Sequence, residues 1–65
     1  MTNKEHTWVT EVVKDSRAHP SRLTPWENTF ITNIERGLKT YGERAEFSDK
    51  QMETLKRIER KVYAT

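Results

Sequence analysis

The sequence predicts an all-α domain of three short helices, and three observations carry that prediction. Two segments, Leu23-Thr24-Pro25-Trp26-Glu27 and Phe47-Ser48-Asp49-Lys50-Gln51-Met52, each hold a complete helix start signal. Apolar residues then recur at helical spacing after both starts. Ahead of them, Trp8, Val9, Val12 and Val13 form a narrower stripe of the same period. The expected arrangement is one domain over residues 1–65, with helices 2 and 3 as an antiparallel hairpin and the N-terminal helix packed across it.

Residues Met1 to Asn3 are expected to fray. The first helix is expected from Lys4 to about Arg17, capped by Asn3, although its valines and threonines lower intrinsic helix propensity. Pro20 then forbids continuation and drives His19 toward extended geometry. A helix leaves its first backbone N–H groups without partners. Thr24 and Glu27 answer this as a reciprocal capping box, with Pro25 at the first helical position, where its missing N–H is harmless. Trp26, Phe30, Ile34, Leu38 and Tyr41 then form the expected core stripe, widened by Ile31. In that stripe Trp26 is expected to close one end of the core. Gly37 inside the helix implies a close approach, and Gly42 suits a positive-φ stop.

The loop Glu43–Phe47 is short, which favours antiparallel packing of the flanking helices. Ser48 and Gln51 repeat the capping box, and Phe47 with Met52 has the spacing of a hydrophobic staple. Helix 3, from Asp49 to about Tyr63, carries Met52, Leu55, Ile58 and Val62 on its core side, with Tyr63 a further candidate there. Asp49 in its first turn and Arg60 and Lys61 in its last complement the helix dipole.

A chain of 65 residues lies near the lower limit of independent folding, burying only about 60% of its unfolded surface. Apolar residues are 32% and charged residues 34% of the chain, so the core must be small. Such a core leaves self-association or a partner as sources of added stability. There is no cysteine, which excludes disulfides and thiolate metal sites and fits a reducing, cytoplasmic setting. No apolar run approaches the ~18–20 residues of a membrane span, and no signal-peptide core is present. The formal charge of +2 gives only a weak field, whatever the pI near 9.2 implies.

Catalysis needs converging acid, base or nucleophilic groups in a pocket. The sequence offers no His-Glu-x-x-His, Gly-rich phosphate loop or nucleophile elbow, and His6 and His19 have no partner in sequence. No enzyme, metal site or cofactor is expected. Two features point instead to binding. Lys50, Arg57 and Lys61 fall on one outer face of helix 3, flanked by Arg60 and interrupted by Glu53 and Glu59. Trp8, Trp26, Tyr41 and Tyr63 are aromatic anchors of the kind that dominate binding hot spots when exposed. Trp8, on the narrowest stripe, is the first expected to be exposed.

The segments Leu-Thr-Pro-Trp-Glu-x-x-Phe-Ile-x-x-Ile and Phe-Ser-x-Lys-Gln-x-x-x-Leu-x-x-Ile resemble a short helical-hairpin module of small bacteriophage proteins and tails of prokaryotic DNA-processing proteins. Trp26, Glu27, Phe30, Ile34, Ser48, Lys50, Gln51, Leu55 and Ile58 carry the likeness. The resemblance covers the hairpin alone. It implies a replication, recombination or host-takeover setting and brings no catalytic residue.

The resulting expectation is a non-catalytic interaction protein that binds and modulates a larger protein of nucleic-acid metabolism or defence. Trp8, Trp26, Tyr63, Arg57 and Lys61 are its expected protein-binding residues. The alternatives are direct nucleic-acid binding through Lys50, Arg57, Arg60 and Lys61, and a structural homo-oligomer in which apolar stripes meet a second copy.

Overall fold

Three repeats of one local device set the helix starts. Thr2, Thr24 and Ser48 each accept from the backbone N–H three residues on, and Glu5, Glu27 and Gln51 each reach back to the cap's own N–H. The structure, a computed structural model, describes residues 2–64. Of the fraying expected over Met1 to Asn3, Met1 lies outside the described residues, while Thr2 caps α1 and Asn3 is its first residue. Helix α1 spans Asn3–Ala18, α2 Pro25–Tyr41 and α3 Asp49–Tyr63. Single 3₁₀ turns, Pro20–Arg22 and Gly42–Arg44, complete the two connections. Thr2 takes the capping role expected of Asn3, because only Thr2 has an acidic residue three positions on.

Arg17 at the end of α1 pairs with Glu35 of α2 at 2.6 Å, while Glu27 at the start of α2 pairs with Lys61 at the end of α3 at 2.8 Å. Helices α2 and α3 are thus antiparallel, as expected. Helix α1 packs against both. The core is Val9, Val12 and Val13 of α1, Leu23, Ile31 and Ile34 on the α2 side, and Leu55, Ile58 and Val62 of α3. Phe30, Leu38, Phe47, Met52 and Trp8 pack partly buried around it.

Ser16 is also buried, with its hydroxyl donating to the Val12 carbonyl at 2.6 Å. Ala45 is buried in the second connection. The Phe47 ring fills the space left by Gly37: a Cβ there would lie 3.2 Å from Phe47 Cε1. The close approach expected at Gly37 is therefore to an aromatic ring from the connection. Gly42 ends α2 at φ 55°, where its N–H bonds the Leu38 carbonyl. Asn28 donates to the Pro20 carbonyl at 3.1 Å and ties the first connection to α2.

Candidate functional site

The four aromatic anchors have different environments. Trp26 is 64% exposed, at the second position of α2. It does not close the core. At 100° per residue, spacings of four drift by about 40° per step, so Trp26 lies roughly 110° from the centre of the buried Glu27–Ile31–Ile34 face. The indole instead stacks on Phe30, with ring centroids 5.6 Å apart and planes 16° from parallel. Phe30 in turn packs against the core. The pair is thus an aromatic platform with a fixed inner ring and a solvent-facing outer one.

Trp8 is half-buried rather than exposed. It packs against the core, and its indole N–H donates to Glu59 of α3 at 2.6 Å. The extra width comes from α3, which sequence periodicity within α1 does not report. Tyr63 is 53% exposed and donates its hydroxyl to Asp15. That hydrogen bond to a carboxylate pushes the phenol up to about 12. Tyr41 is 65% exposed at the last residue of α2.

The basic face of α3 divides. Lys61 turns toward α2, where its ammonium meets both oxygens of Glu27 at 2.8 and 2.9 Å. Burial pushes the Glu27 carboxyl up, but the bonds from Lys61 and Thr24 outweigh it and hold the group below its ordinary value. Lys61 is therefore part of the fold as well as of the surface. Lys50, Arg57 and Arg60 are exposed, and among the described residues none has an ion-pair partner. Lys56, Arg57 and Arg60, with Glu53, line one shallow concavity of about 190 Å³. The structure thus keeps Arg57 and Arg60 together and draws Lys61 away.

Sequence reasoning missed the polar contacts between elements, of which two hold the end of α3. Arg22, in the first connection, donates to the Val62 carbonyl and caps the end of α3. Lys61 reaches Glu27 across 34 positions. A local pattern carries no signal for either, since each depends on how the helices pack. His19 is exposed and His6 half-buried. Among the described residues no cluster of three or more His, Asp or Glu side chains is placed to hold a metal ion. No helix described is long and apolar enough to cross a membrane. In comparisons with family models, curated proteins and solved structures, nothing matches this chain.

Proposed function

We propose that this chain is a small, non-catalytic interaction protein that binds and modulates a larger protein of nucleic-acid metabolism or host defence. The observation that carries this reading is the Trp26–Phe30 platform. A tryptophan left 64% exposed keeps a large apolar area in water that its own core does not use. On a fixed ring, such a side chain meets a partner with little further loss of freedom. The resemblance of the hairpin sequence to modules of small phage proteins supplies the setting.

Direct nucleic-acid binding is the second reading, favoured by Lys50, Arg57 and Arg60 on one helix, none of which has an ion-pair partner among the described residues. It requires affinity that falls steeply with salt as counterions are released. The formal charge of +2 argues for the protein partner first.

The test is an affinity pull-down from a bacterial lysate, with and without nuclease, using the wild-type chain, Trp26→Ala and Arg57→Ala. A stoichiometric protein that survives nuclease and is lost with Trp26→Ala is the expected result. Recovery that disappears with nuclease and with Arg57→Ala would put nucleic acid first. Trp26→Ala should change stability by less than about 1 kcal/mol, because it removes one exposed ring and one stacking contact. Lys61→Ala and Trp8→Ala are poorer probes, since both also break contacts between helices.

A further inference from the structure

Helices α1 and α2 leave a groove on their outer side that the chain itself does not fill. Its floor is apolar, formed by Val13 of α1 and the half-buried Leu38 of α2. Its volume is about 570 Å³. Along α1 it runs from His6 to Arg17, which at about 1.5 Å per residue is roughly 16 Å, or three helical turns. Arg17 and Glu35 close one end as an ion pair and cancel each other's charge. Lys14 and Lys39 also line the groove, both exposed and, among the described residues, without an ion-pair partner.

Resting on the reading of this chain as an interaction protein, we propose that the α1–α2 groove docks a short amphipathic helix of the partner, apolar toward Val13 and Leu38 and acidic at its edges. A helix laid between α1 and α2 would be the fourth of the assembly, with anchors at i, i+4 and i+7. The two uncompensated lysines select its charge. The same lysines disfavour a second copy. A two-fold contact would bring each cationic edge against its equal. Trp26 does not line this groove, so the partner meets two separate surfaces.

The probes are two synthetic peptides of about eleven residues with leucines at i, i+4 and i+7. One carries glutamates at its edges and the other lysines. Each is titrated into the isotopically labelled full chain while backbone amide shifts are followed. The glutamate peptide is expected to move the amides of Thr10, Val13 and Leu38. Lys14→Glu combined with Lys39→Glu should weaken it by about tenfold, the size of two exposed charge pairs reversed. Both positions are exposed, and an unchanged circular dichroism spectrum controls for folding. Equal binding of the lysine peptide, shifts confined to other surfaces, or no binding would overturn the proposal. So would saturation of the same amides by oleate but not by the peptide, or a doubled mass that buries the groove. If the peptide fails while capture from lysate still depends on Trp26, the groove assignment falls and the interaction reading stands.

Discussion

Glu27 combines three tasks in one side chain. It accepts from the Thr24 N–H at 2.8 Å, pairs with Lys61, and lies almost wholly out of solvent at 8% exposure. Its carboxyl is held below the ordinary value of 4.5, so the charged form is favoured by folding. Its contribution is present above the unfolded pKa and is lost as pH falls through the lower, folded one. Thermal unfolding followed downward from about pH 5 should therefore show stability falling more steeply in the wild-type chain than in Glu27→Gln. Near pH 7, Glu27→Gln should cost about 0.5–1 kcal/mol, because glutamine keeps the cap and loses only the pairing with a half-exposed lysine. Parallel acid limbs would show that Glu27 is not the titrating group. The capping half of this arrangement is legible in the sequence as Thr-x-x-Glu. The pairing half is not, since no local rule brings position 61 to position 27.

Among the elements, the two glycines, Gly37 inside α2 and Gly42 at its end, are the positions where substitutions discriminate. Gly42 has φ 55° and ψ −128°, a combination that L side chains avoid, although a Cβ there would meet nothing within 4 Å. Gly42→Ala should thus lose about 1–2 kcal/mol through backbone strain alone. Gly37 has the opposite balance. Alanine there gains about 1 kcal/mol of helix propensity but presses on Phe47 Cε1 at 3.2 Å. The Phe47 ring is only half-buried and sits outside any helix, so it has room to shift by a few tenths of an ångström. Gly37→Ala is expected to be stabilising by up to about 0.5 kcal/mol, whereas Gly37→Leu should destabilise by displacing the ring. Chemical denaturation of the three variants checks both signs, and a loss in Gly37→Ala would mean that Phe47 is fixed. Helices α2 and α3 were legible because their caps and stripes are local. The cap of α1 was equally present, as Thr2-Asn3-Lys4-Glu5, the same four-residue pattern seen at Thr24 and Ser48. Trp26 was misplaced for a geometric reason: a run of fours follows one side chain row, while the buried face turns away from that row.

At the scale of the whole molecule, α1 has more weight than its sequence implies. Its stripe is narrow and its residues are middling helix formers, yet Val9 and Val12 are 0% and 1% exposed. Helix α1 packs against both other helices, whereas Glu27–Lys61 and the Phe47 ring over Gly37 join α2 to α3 chiefly through side chains. Valine is short and β-branched, so it suits positions where two helices press on a third from opposite sides. Removing α1 would uncover Ile31, Ile34, Leu55 and Ile58 together. A folded chain retains roughly 0.05–0.15 kcal/mol per residue of net stability, which for 65 residues is only several kcal/mol. Losing four buried aliphatic side chains, at about 1.5–3 kcal/mol each, is a loss as large as that margin. A fragment of residues 23–64 should therefore lack a cooperative thermal transition, although each of its helices retains its cap. Within the full chain, Val12→Ala should cost about 2 kcal/mol despite removing only two methyl groups, because the site is closed on all sides and collapses poorly. A fragment that melts cooperatively with the helicity of the intact protein would show that the hairpin is self-sufficient. It would also make α1 a removable attachment, and the groove it forms with α2 a feature acquired by the hairpin.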